Sequence, residues 1–314
     1  MDNKKNQSKD ILIRKKEMER ILNYLILKED SGKTILEYLK EKGFSRQNIV
    51  ELKKMERSIL VNDKWEYVNY RLQEEECLCI HIKEEECSEK IPPINLPFPV
   101  IYEDEDIIVI NKPADMPIHP SLNNYTNTLG NAAAFYFEKQ GKPFLFRCIN
   151  RLDRDTTGLT ILAKHMVSCS ILQNDMVKRD IHREYLAIVE GSLSKDEGII
   201  DAPIGRKEGS TIERQIDYEN GECAVTHYRV LERKEDCSLV SLKLETGRTH
   251  QIRVHMASIG HPLLGDFLYN PKDDRMSRQA LHAWKLTFAH PITKERLCFQ
   301  AEIPEDMKKI WELL

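Results

Sequence analysis

The densest set of chemically capable residues in the chain is the stretch 150–160, NRLDRDTTGLT. Asp153 stands between Arg151 and Arg154, Asp155 follows, and Gly158 leads into LTILAK, an apolar run of strand character. A carboxylate at the mouth of a strand, beside fixed cations, is favoured in its ionised form, and an ionised, positioned aspartate can act as nucleophile or general base. Composition alone favours a plainer alternative, because charged loops beside strands are usually solvated or ion-paired.

Two later segments could supply partners. Tyr185 lies in REYLAIVEG, residues 183–191, where alternation predicts a strand and the ring is either a core tyrosine or an active-site ring. In LETGRTHQIRVHMASIGHPLLGDFLY, residues 244–269, Thr249 is expected to cap a helix with His250 and Arg253 on one face and Ile252, Met256 and Ile259 on another. An amphipathic surface helix is the plain alternative there. Gly247, Gly260 and Gly265 read as turns, since the Walker spacing of a phosphate loop is absent. Arg275 and Arg278 flank a loop and would either touch phosphate or do nothing. No metal is expected: the eight cysteines include no CxxC pair, and Cys77, Cys79 and Cys87 lack ligand spacing, so they read as reduced thiols, the first two sharing a strand face.

The elements that must position these residues fall into two groups. Residues 1–33 form a polar extension with a helix expected over 11–27. Residues 34–83 read as a compact unit: Ile35, Tyr38 and Leu39 on one helical face, Gly43 as a stop, Ser45 as the next cap, a second helix with Ile49, Leu52 and Met55 inward, then strands ILVN and CLCIHI. Arg46, Lys53, Lys54 and Arg57 give that second helix a basic side. Spaced prolines and a charge run place a linker at 84–96. From 97 to 314, many short alternating strands and few helices predict an α+β domain on a long, mainly antiparallel sheet.

Bulk properties bound the function. A net charge of −4 with 31% charged residues and a pI near 6.2 argues against a general nucleic-acid coat protein. It leaves room for an RNA enzyme, because phosphate contacts depend on local clusters of Lys and Arg. The absence of a long apolar run or an apolar leader makes a cytoplasmic protein the expectation.

Residues 151–159 closely resemble the Arg-Leu-Asp-x-x-Thr-Ser-Gly-Leu motif of the RluA-like pseudouridine synthases. Four further segments resemble that family in the same order: IYEDEDIIVINKPADMPIHPS (101–121), REYLAIVEG, the 244–269 segment, and RQALHAWKLTFAHP (278–291). Residues 34–83 resemble an S4-like RNA-binding domain, with Asp63 where such domains usually carry Gly and Glu75-Glu76 in place of a Gly-Asp turn. Within the catalytic part, Asn150 replaces the usual His and Asp115 the usual Gly. Asn offers comparable hydrogen bonds, and Asp tolerates the left-handed backbone better than most residues.

The resemblance implies an enzyme that isomerises uridine to pseudouridine in structured RNA without a cofactor. It assigns Asp153 as nucleophile, Arg253 as its ion-pair partner, Tyr185 as the ring stacked on the detached uracil, and Arg151 as the side chain that fills the space left by a flipped base. Arg248, His250 and Thr157 are expected to contact substrate, and Arg46, Lys53, Lys54 and Arg57 to contact RNA. Large-subunit ribosomal RNA is the expected target, with transfer RNA second, and a monomer the expected state. Two other classes compete: a non-catalytic RNA-binding or ribosome-assembly protein, which would be expected to have lost Asp153, Tyr185 or Arg253, and an N-glycosidic hydrolase, which would release free uracil.

Overall fold

The structure is a computed structural model that describes residues 18–84, 88, 90–121 and 124–313. The first unit comprises β1 (Met18–Leu25), α1 (Ile35–Glu41), α2 (Arg46–Lys54), β2 (Ile59–Val61), β3 (Lys64–Trp65) and β4 (Cys77–Glu84). Its four strands are ordered β1-β4-β2-β3. Thr34 with Glu37, and Ser45 with Asn48, form capping boxes that start the two helices. Ile35, Tyr38, Leu39, Ile49 and Leu52 turn inward onto Leu78, Ile80 and Ile82 of β4.

One expectation is corrected at the N-terminus. Residues 18–25 form a strand rather than part of a helix over 11–27, paired in unbroken register with β4 from Met18↔Glu84 to Leu25↔Cys77. The small unit therefore begins ahead of residue 34, and the earlier part of the expected helix lies outside the described residues. Cys77 and Cys79 occupy the face of β4 opposite its buried Leu and Ile side chains, whereas Cys87 lies outside the described residues. Asp63 and Glu75, at φ +66° and +68°, hold the left-handed conformation that glycine usually supplies at those points.

The second unit contains β5 (Val100–Glu103), β6 (Ile107–Lys112), α3 (Leu129–Lys139), β7 (Thr157–Ala163), α4 (Met166–Lys178), β8 (His182–Glu190), β9 (Glu197–Asp201), β10 (Ile204–Arg206), β11 (Arg214–Ile216), β12 (Val225–Arg233), β13 (Cys237–Leu244), α5 (Gln251–Ser258), β14 (Leu281–Ala289), β15 (Arg296–Gln300) and α6 (Glu305–Leu313). Its long sheet runs β5-β6-β7-β14-β8-β13-β12-β9, with β15 also on β14. Only the β7–β14 pair is parallel among the described strands, so the sheet is mixed and mainly antiparallel, in an α+β fold.

Alternation along β6 feeds two cores. Ile107 and Val109 join the layer under α4, while Ile108 and Ile110 join the layer under α3. Helix α4 serves both units: Leu172 packs on the long sheet, and Val167 and Ile171 enter the core of the small unit. Each such buried side chain contributes about 1.5 to 3 kcal/mol. Polar ties reinforce the junction: Arg20 Nε to Asp106 Oδ1 at 2.8 Å, Arg147 to Glu84 at 2.8 Å, and Asn48 Nδ2 to Met166 O at 3.2 Å. The segment expected as a linker is laid along the second unit, where Asn131 Nδ2 donates to Pro92 O at 2.8 Å and Ser88 N–H donates to Phe144 O at 3.3 Å. Among the described residues, no helix is long and apolar enough to cross a membrane.

Candidate active site

The loop that carries Asp153 is fixed at both ends. Before it, Ile149 N–H donates to Ile161 O at 2.9 Å, which ties residues 147–149 beside β7. Asn150, buried, then bonds β7 twice, its Nδ2 donating to Leu159 O at 3.0 Å and its Oδ1 accepting from Ile161 N–H at 2.9 Å. The amide thus supplies the hydrogen bonds expected of it in place of His. After the turn, Thr156 N–H donates to Asp153 O at 3.1 Å and the chain enters β7. Only glycine fits at 158, because a Cβ there would lie 2.2 Å from Ala283 O of β14 and φ is +116°.

A buried lysine braces the loop from below. Lys112 Nζ donates to Pro113 O (2.8 Å), Met116 O (2.9 Å) and Arg154 O (2.8 Å), joining the turn after β6 to the Asp153 loop. Asp115, in that turn, holds φ +53° as its expected tolerance of the left-handed region requires. Burial pushes the Lys112 pKa down to about 7, with Asp155 and Asp153 opposing. Three carbonyl acceptors need the three hydrogens of an ammonium, so the geometry also favours the charged form.

The loop borders a cavity of about 450 Å³ that also meets Arg151, Arg183, Tyr185, His250 and Arg253. The Asp153 side chain keeps 26% of its exposure, open to a ligand yet held from behind. Arg253, on α5, lies between two carboxylates: its NH1 is 3.3 Å from Asp153 Oδ2, and its Nε and NH2 each donate at 2.7 Å to the fully buried Asp266. The Tyr269 and Phe267 rings flank the guanidinium at 5.1 and 5.6 Å from their centroids. Burial opposes the charge on Arg253, but Asp266 and then Asp153 outweigh it and raise the pKa. Asp266 also accepts backbone N–H groups from Leu268 and Tyr269 at 3.0 and 3.2 Å. Tyr185 on β8 is buried, and burial raises its pKa, which keeps the phenol neutral. The arrangement presents one anion, one immobilised cation and one aromatic face to a planar ligand.

The RNA pseudouridylate synthase family profile matches residues 106–258. The Bacillus subtilis "Uncharacterized RNA pseudouridine synthase YjbO" is 39% identical over 277 residues, which cover 88% of this chain and 98% of that protein. Ribosomal large subunit pseudouridine synthase D of Vibrio cholerae is 44% identical over 227 residues, covering 68% and 69%. The chain belongs to the RluA-like RNA pseudouridine synthases. Among solved structures, Human RNA Pseudouridylate Synthase Domain Containing 1 superposes with a TM-score of 0.56 over 67% of this chain and 85% of that one, at 27% identity. The synthase is thus an isomerase acting on RNA.

Of the residues singled out from sequence, Asp153, Tyr185, Arg253, Arg151, Arg248 and His250 all border the one cavity of the synthase described above. Arg248 is partly engaged elsewhere, paired with Glu222 and donating to Cys223 O at 3.1 Å. Thr157 does not border the cavity, its Oγ1 lying 2.8 Å from His282 Nδ1, and Thr156 is the threonine on the cavity wall. Thr249 does not cap α5, whose N-cap is His250 at φ +59° without a side-chain bond. Nor is α5 an amphipathic surface helix, since Gln251 through Met256 are all buried. Arg278 is buried against Asp306, and Arg275 is paired with Asp273 and Asp236, so neither is a free phosphate contact. Arg46, Lys53, Lys54 and Arg57 are exposed on the small unit, away from the cavity wall, and Lys54 pairs with Glu51.

Sequence reasoning missed four residues that serve this site. Lys112 and Asp266 brace it, Tyr269 bonds His250, and Arg183 lines it. Arg183 forms no ion pair with a described residue, and its Nε is buried without a hydrogen-bond partner. Gly247 leaves room for it, since a Cβ there would approach Arg183 NH1 to 3.0 Å. The signal was available: Arg183 and Tyr185 are two apart on one strand and so share a face.

Proposed function

We propose that the synthase converts a uridine of large-subunit ribosomal RNA to pseudouridine, with Asp153 as the nucleophilic carboxylate. The reading is carried by one observation: Asp153 is open to the cavity yet lies 3.3 Å from an arginine that a second, buried carboxylate holds in place. Breaking the bond from ribose C1′ to uracil N1 builds positive charge at C1′, which a fixed anion stabilises by attack or by assisting elimination to a glycal. Arg253, 3.3 Å away, orients that carboxylate. Tyr185 stacks on the detached ring while it turns to present C5.

A uridine in folded RNA reaches the cavity only after flipping, at a cost of a few kcal/mol. Arg151, exposed at the rim, fills the vacated space, while Arg183 and Arg248 contact neighbouring phosphates. The small unit acts as an S4-like RNA-binding module through Arg46, Lys53, Lys54 and Arg57, packed on α4 through Val167 and Ile171. The ribosomal target is supported by the name of the 44%-identical relative from Vibrio cholerae. The proposal places the enzyme in the cytoplasm with its ribosomal target and has it act as a monomer.

Mapping pseudouridines in total RNA from cells with and without this gene tests the proposal. Loss of at least one site in large-subunit ribosomal RNA, restored by the wild-type gene and not by Asp153→Asn, is expected. Loss confined to transfer RNA, or restoration by the asparagine variant, would contradict it.

A further inference from the structure

We infer that His250 is a catalytic residue of the synthase, a neutral imidazole whose Nε2–H donates to the uracil as its glycosidic bond breaks, held in that tautomer by Tyr269. The inference rests on the reading of Asp153 given above. Counting hydrogens points to the tautomer. Tyr269 Oη accepts the backbone N–H of Arg214 at 2.9 Å and lies 2.9 Å from His250 Nδ1. Among the described residues the hydroxyl hydrogen has no other acceptor, and given to Nδ1 it leaves that nitrogen without a hydrogen of its own. A neutral imidazole in this setting bears its hydrogen on Nε2.

Nε2 is the nitrogen that faces Asp153, 4.0 Å from Oδ2, too far for a direct bond. Burial lowers the His250 pKa, Asp153 and Asp266 oppose, and Arg253 and Arg214 add to the fall. The ring therefore stays a neutral donor. Backbone conformation points the same way: His250 holds φ +59° at the start of α5, where Gly or Asn would sit with less strain, and its ring borders the cavity. A strained residue at a cleft is a functional candidate.

Chemistry gives the donor its task. When C1′–N1 breaks, the bonding pair moves to N1 and the uracil takes negative charge shared with its carbonyl oxygens. A donor already aimed at such an oxygen stabilises the transition state more than the bound uridine, and the hydrogen stays on Nε2 throughout.

The test compares wild type, His250→Ala, His250→Asn, Tyr269→Phe and Asp153→Asn. Single-turnover tritium release from an rRNA transcript labelled at uridine C5 is measured with RNA affinity, alongside ¹⁵N spectra of histidine-labelled protein. His250→Ala should lose about 100-fold in rate with RNA affinity within about threefold of wild type. His250→Asn, which accepts the left-handed backbone and keeps an N–H donor, should fall between. Wild type should show hydrogen on Nε2, and Tyr269→Phe a mixture of tautomers with a slower rate. Wild-type hydrogen on Nδ1, or His250→Ala at near wild-type rate while Asp153→Asn is inactive, overturns this inference alone. An active Asp153→Asn overturns the reading of the site with it.

Discussion

Replacing Asp266 by asparagine removes one of the two carboxylates that hold Arg253, without changing the volume of the side chain. The guanidinium is 2% exposed and Asp266 fully buried, with two bonds of 2.7 Å between them. Removing one partner of such a pair costs about 3 to 5 kcal/mol. The amide keeps one acceptor oxygen, so the lower end applies, and at about 2 to 4 °C per kcal/mol the melting temperature should fall by about 6 to 12 °C. The guanidinium would also shift toward Asp153, the remaining carboxylate, and a displacement of about 1 Å near reacting groups is worth about 100-fold in rate. Thermal melting followed by circular dichroism and single-turnover tritium release measure the two effects. A variant that melts within about 2 °C of wild type and turns over normally would refute the claim that Asp266 fixes the catalytic arginine.

Three further outcomes follow from particular contacts. Burial holds the His282 pKa at about 4, against an ordinary 6.5, so on acidification the unfolded chain binds this proton before the folded one. Stability is unaffected above pH 6.5 and falls as pH drops toward 4; urea titrations at pH 7 and 5 should show wild type losing about 2 kcal/mol more than His282→Asn. Arg183→Ala should weaken RNA binding and reduce the slope of log K against log salt by about 1, read from binding titrations across salt concentrations, whereas an unchanged slope would place Arg183 off the phosphate path. Arg253→Ala should lose at least about 100-fold in turnover, whereas Lys53→Ala should mainly raise the RNA dissociation constant; equal kinetic effects of the two would count against the ion pair with Asp153.

The site was legible in the sequence where chemistry and local backbone coincide. Asp153 precedes a glycine-led apolar strand, and Asp115 stands where a left-handed residue is needed, so both positions can be picked out at the level of single residues. Thr157 was misplaced because its hydroxyl is taken up by His282, a partner 125 residues away that no local pattern discloses. Residues 18–25 failed because their strand character comes from β4, more than 50 residues away, which no local periodicity reveals. The partners of Arg253 and Arg278 were equally hidden, since Asp153 lies 100 residues from the first and Asp306 28 residues from the second.

The central claim is that the Asp153 carboxylate carries the reaction. Purified wild type and Asp153→Asn, matched for RNA affinity and melting behaviour, should be compared for tritium release from large-subunit ribosomal RNA labelled at uridine C5. Release by wild type with none detectable from the asparagine variant is the result predicted, and sustained release by that variant would contradict the account.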